Sequence, residues 1–159
     1  MSVSTRGRGL RPHPGKVVLA AILSLTVPHL AHGAKPVFKH ALDGSTIDTP
    51  LKPGETETPA LKQFKETGTN PYRDDAAAIA AGKALYDQHC QVCHNADATG
   101  KMGPALVGKE HVYPQTATDA GMFAVIYAGA SGAMQPFAKR ELSQDDMLKI
   151  IAYVRSLDK

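Results

Sequence analysis

The 159-residue sequence is short of several things, and each shortage narrows what it can be. It has only two cysteines, which is too few for a disulfide-stapled scaffold. It has no tryptophan, and four phenylalanines and five tyrosines supply all its aromatic surface, so the core is thin in large rings. No second Cys or His pair answers the Cys90/Cys93 pair at similar spacing, and His40, His89 and His111 are scattered, which argues against a four-ligand structural zinc. No apolar run approaches the roughly 20 residues that span a bilayer. The adjacent arginines of a twin-arginine signal are missing, because Gly7 separates Arg6 from Arg8. Internal repeats are absent and strand signals are weak in the C-terminal half.

Acids are missing from the first 33 residues, and this segment has the three parts of an export signal. Arg6, Arg8, Arg11 and Lys16 form a positive start, Val17 to Val27 an apolar run, and Ala31 and Gly33 the small residues of a cleavage site before Ala34. An uncleaved anchor is the alternative, disfavoured by the shortness of the run. Without this segment the chain keeps 14 basic and 15 acidic residues, so nucleic acid is not an implied partner. The remaining 126 residues suffice for one domain with a modest core.

The expected organisation is a signal peptide over 1–33, an N-terminal extension over 34–73 and a helical domain over 74–159. Pro36, Pro50, Pro53, Pro59 and Pro71 rule out long helices in the extension. The stretch VFKHALDGSTI predicts a hairpin turning at Asp43-Gly44. TPALKQFKETG predicts a short helix capped by Thr58, opened by Pro59 and stopped by Gly68. Phe38, Leu61 and Phe64 favour a packed extension over a flexible linker. Beyond it, helices are expected over Asp75 to Cys90, over DAGMFAVIYAG with Thr118 or Asp119 as cap, and from Ser143 onward, where Ser-x-x-Asp forms a capping box with Asp146.

The motif HCQVCH carries the chemistry. A redox pair calls for a strand–helix setting, whereas this motif closes a helix. Covalent attachment of haem uses all three residues at once. Cys90 and Cys93 face the same way on one turn, which suits two thioether bonds, and His94 follows in position to ligate iron. The sixth iron position separates a carrier from a gas-binding or peroxide-handling protein. Met102 is too close to His94 to reach the opposite face, and Met122 and Met147 sit on helices as core residues. Met134, in the loop GASGAMQPF, is the candidate ligand. Pro104 is the candidate carbonyl for the second ring nitrogen of His94, with Leu106 packing near the ring. His111 is a weaker distal candidate with a surface role favoured, and Tyr113 and Lys109 are candidates for the haem propionates.

Cys-x-x-Cys-His, Gly-Pro-x-Leu, a loop methionine and the terminal helix IIAYVRSL together resemble class I c-type cytochromes over about residues 75–157. The resemblance implies a mainly α fold in which the first and last helices cross, with Gly82 and Tyr86 against Ile150 and Tyr153. A narrower likeness, carried by ETGTNPY (Glu66 to Tyr72), GKMGPALVG, Tyr113-Pro114 and TDAGMF (Thr118 to Phe123), is to the cytochrome c-L family. That family implies one covalent haem c and a periplasmic carrier that catalyses nothing. It takes single electrons from a pyrroloquinoline-quinone methanol dehydrogenase and passes them to a downstream small cytochrome c. YAGASGAMQPF and EHVYP are similar to its lanthanide-dependent branch. A calcium ion near a propionate stays open. Many family members are strongly acidic, whereas this chain after the signal is near neutral. The alternatives are a general carrier to another dehydrogenase or oxidase, and a haem enzyme or sensor with an open sixth site.

Overall fold

The computed structural model describes residues 34–158 and the first two residues, so the export segment expected over 1–33 lies almost wholly outside the described residues. Five helices make up the frame, and four of them, all but the single-turn α3, begin at a residue whose side chain accepts from N–H groups of the first turn. Helix α1 (Pro59–Thr67) opens on Thr58, whose hydroxyl accepts from the Leu61 N–H, and stops at Gly68, which takes φ 74°. Asp75 caps α2 (Ala76–His89) by accepting from Ala77 and Ala78. A single turn, α3 (Gln91–His94), follows. Thr118 rather than Asp119 caps α4 (Asp119–Ala128), and Ser143 and Asp146 form the reciprocal box that starts α5 (Gln144–Leu157). Short 3-10 helices occupy Pro114–Ala117 and Phe137–Lys139.

Helices α2 and α5 make the largest interhelical contact, and a glycine permits it. A Cβ on Gly82 would lie 2.0 Å from the Lys149 carbonyl oxygen. One turn on, the Tyr86 and Tyr153 rings meet at 5.2 Å and 60°. This is the crossing that the class I resemblance implies. Met147, Ile150, Ile151 and Val154 of α5 are buried as their 3.6-residue spacing requires, while Leu157, the last residue of the helix, is half-buried.

No β-strand forms among the described residues, and the expected hairpin is reduced to one antiparallel bridge between Lys39 and Thr46. The reason is lopsided burial. Phe38 turns inward onto Phe64 and Phe123 with centroids 5.7 and 5.2 Å away, whereas Val37 and Leu42 stay exposed and give a longer ladder nothing to cover. The extension is nonetheless packed, and residues 34–158 lie within one compact unit. Its polar groups reach the start of α5. The Thr58 and Tyr72 hydroxyls donate to Asp145 at 2.5 and 2.9 Å, and the Asn70 amide donates to the Leu148 carbonyl at 2.7 Å. Buried Asp119 ties three segments together. It pairs with Arg155 at 3.1 Å and Arg73 at 3.1 Å, and accepts from the Asn70 N–H at 3.1 Å.

Candidate functional site

Helix α2 ends where the motif begins. The Cys90 N–H still donates to the Tyr86 carbonyl at 2.8 Å, and the chain then tightens so that Cys93 and His94 both donate to the Cys90 carbonyl, at 3.1 and 3.0 Å. That single turn sets the three side chains within one helical pitch. Both cysteines are free and half-buried. Burial pushes the Cys90 thiol up to about 12, with the neighbouring Cys93 adding to it, so Cys90 stays protonated at neutral pH.

His94 is buried, and its Nδ1 lies 2.8 Å from the Pro104 carbonyl oxygen. A carbonyl only accepts, so Nδ1 carries the proton, and in the neutral ring Nε2 then presents a lone pair. The loop that delivers Pro104 is pinned to the motif. Gly103 donates to the Cys93 carbonyl at 2.8 Å and Gly100 to that of His94 at 3.0 Å. A Cβ on Gly103 would lie 2.6 Å from Cε1 of the His94 ring, so the imidazole rests on bare backbone. Gly103 is the site residue that sequence reasoning missed; its signal was the glycine of MGPALVG, read only as part of a rigid turn. Leu106 is half-buried and donates its N–H to the Ala98 carbonyl at 2.9 Å. Directly after His94, Asn95 takes φ 68° and ψ 159°, a region that is nearly glycine's own. Two tyrosines hold this bend: Tyr86 donates to the Asn95 carbonyl at 2.8 Å and Tyr153 to that of Ala96 at 3.2 Å.

Met134 is half-buried against the core at the end of an exposed glycine-rich tip. The turn closes on itself, with the Ala130 N–H donating to the Met134 carbonyl at 3.0 Å. A Cβ on Gly129 would lie 2.7 Å from that same oxygen. The other methionines sit as expected, Met122 and Met147 in the core and Met102 73% exposed. The His111 Nδ1 is 3.2 Å from the Thr116 hydroxyl, and the Tyr113 hydroxyl is taken up by Ser131 at 2.5 Å. A cavity of about 530 Å³ is lined by His89, next to Cys90, and by Phe137 and Lys139 to Leu142, beyond Met134. Among the described residues no three His, Cys, Asp or Glu side chains gather as a metal site, so nothing supports calcium.

The donor set fits an iron porphyrin: an imidazole whose Nδ1 is held by a carbonyl so that Nε2 is left for a metal, two unjoined thiols one turn apart, and a thioether on a loop. Comparison with known proteins agrees. Cytochrome c-L of Methylorubrum extorquens is 38% identical over 138 residues, covering 86% of this chain and 70% of that protein. The chain belongs to the cytochrome c-L family. Two crystal structures of cytochrome cL superpose with a TM-score of 0.73 each. That from Methylophaga aminisulfidivorans is 38% identical and covers 77% of this chain and 81% of its own. That from Hyphomicrobium denitrificans is 37% identical and covers 79% and 76%. A family profile described as cytochrome c oxidase, cbb3-type, subunit III matches residues 77–154. The relative's 138 matched residues exceed what remains from position 77 onward, so the likeness to cytochrome c-L takes in part of the extension. As a cytochrome c-L, this protein is a monohaem electron carrier with covalently bound haem c and a mainly α class I fold.

Proposed function

We propose that this cytochrome c-L is exported to the periplasm, its signal cleaved near 33/34. There it accepts single electrons from a quinoprotein methanol dehydrogenase and passes them to a downstream small cytochrome c. Cys90 and Cys93 would hold the haem through thioethers, and His94 Nε2 and Met134 Sδ would be the axial ligands. The bound group supplies a one-electron ferric–ferrous couple. The chain does the rest and catalyses no bond chemistry. Pro104 keeps the proton on Nδ1 of His94, Leu106 packs near that ring, and the aliphatic faces of α4 and α5 exclude water.

The observation that carries this reading is the 2.8 Å approach of His94 Nδ1 to the Pro104 oxygen, which leaves a buried Nε2 with a free lone pair beside two free thiols. The partner is supported by the family and by surface chemistry. Val92 within the motif and Met102 in the loop after it are exposed apolar side chains, at 66% and 73%, and transient redox encounters bury little surface. The loops 95–103 and 129–138 would ring the contact. A two-electron quinol then needs two encounters per turnover. Stopped-flow mixing of the oxidised protein with substrate-reduced methanol dehydrogenase is expected to reduce the haem at micromolar concentrations. Absence of reduction would remove the partner assignment.

A further inference from the structure

The tip of the methionine loop, Ser131 to Ala133, is exposed, and among the described residues one side chain from elsewhere holds it. The Tyr113 hydroxyl accepts from the Ser131 N–H at 3.2 Å and shares a hydrogen bond with the Ser131 hydroxyl at 2.5 Å. Tyr113 itself stands on a rigid base. Its carbonyl accepts from the Thr116 N–H at 2.9 Å and the Thr116 hydroxyl at 2.8 Å. The Thr116 carbonyl accepts from Arg155 of α5 at 2.7 Å. The same 3-10 helix lies hard against α4, where a Cβ on Gly121 would fall 1.9 Å from the Gln115 oxygen. From Ser131 the turn closes onto Met134 through the Ala130 N–H at 3.0 Å. A displaced tip therefore carries Met134 with it.

We propose that Tyr113 is a positioning residue, a latch that keeps the methionine loop closed and the sixth iron position shut to outside ligands. The proposal rests on Met134 as the distal ligand. The loop then has a closed state and a minor open state, and an added ligand binds only the open one. Its apparent affinity is the intrinsic affinity scaled by the open fraction. Two hydrogen bonds at an exposed site shift that fraction about three- to tenfold. The latch thus separates a carrier from a ligand-binding haem protein without touching the iron.

The test is an imidazole titration of the oxidised holoprotein at neutral pH, followed in the Soret band. It compares wild type, Tyr113→Phe, Ser131→Ala, and Phe38→Leu as a variant that weakens packing in the extension. Tyr113→Phe is expected to bind imidazole about three- to tenfold more tightly than wild type while keeping the thioether-to-iron band when imidazole is absent. Ser131→Ala, which retains the backbone hydrogen bond, should fall between them. Phe38→Leu should lower Tm and leave imidazole affinity alone. Unchanged affinity in Tyr113→Phe overturns the latch, and so does a rise in Phe38→Leu matching its loss of Tm. A wild type without the thioether band, or a Met134→Ala variant that keeps it, overturns the ligand assignment and the latch together.

Discussion

Gly103 leaves no room for a methyl group over the His94 imidazole, since a Cβ would sit 2.6 Å from Cε1. Gly103→Ala must tilt the ring or push the loop away, at a cost of about 1–3 kcal/mol. The expected result is a lower Tm with a shifted reduction potential, measured by calorimetry and voltammetry; a lower Tm alone would mean the ring is not displaced. On the other side, Met134→Ala should abolish the thioether-to-iron band and admit carbon monoxide rapidly to the reduced protein. Met102→Ala, at a residue 73% exposed, should do neither. The residues that declare a chemistry were legible in sequence. Cys90, Cys93 and His94 share one turn, and Pro104 follows in a rigid Gly-Pro step. The role of Gly103 was not, because it arises only when the loop folds back to place backbone against a ring nine positions earlier. The link from Tyr113 to Ser131 spans 18 positions and has no local signature either.

The helices were legible because each carries its own start and stop. Thr58 with Gly68, Asp75, Thr118 with Gly129, and the Ser143 box all act within four residues of themselves. The hairpin was not, since a ladder also needs a surface to cover, and that depends on where Phe38 is drawn. The box at the head of α5 makes a pH prediction. Burial alone would raise the Asp146 carboxyl, but hydrogen bonds from Ser143 and Lys149 and the Lys149 charge outweigh it and hold it below the ordinary 3.8. A carboxyl lowered on folding stabilises fully above its unfolded value, and that stability is lost as pH falls through the folded value. Asp146→Ala should therefore cost about 1 kcal/mol at pH 7 and progressively less below about pH 4. Urea unfolding at neutral and acid pH checks this, and an equal loss at both would contradict it. Where α2 crosses α5, Gly82→Ala drives a methyl group into the Lys149 carbonyl. It should fail to accumulate as holoprotein or unfold far below wild type, as judged by haem yield and Tm.

Across the whole molecule, Asp119 joins the extension to the helical frame. Its carboxylate is 3% exposed and Arg155 is 11% exposed, whereas Arg73 is 54% exposed. Removing one partner of a buried pair strands the other charge, so Asp119→Ala should cost about 3–5 kcal/mol. Arg73→Ala gives up a solvent-screened contact and should cost under about 1 kcal/mol. Urea curves followed both by helix signal and by haem absorbance should coincide in each variant, because the extension and frame unfold together. The near balance of charge from residue 34 onward, 14 basic against 15 acidic residues, also bears on docking, as long-range steering needs a strong field. Reduction by the proposed dehydrogenase partner should accordingly vary only weakly with ionic strength. All of this depends on one porphyrin fixed to Cys90 and Cys93, and acid–acetone extraction of the exported protein, followed by intact mass, tests that most directly. The account predicts a coloured polypeptide heavier by one haem, and a chain left colourless at its bare mass would contradict it.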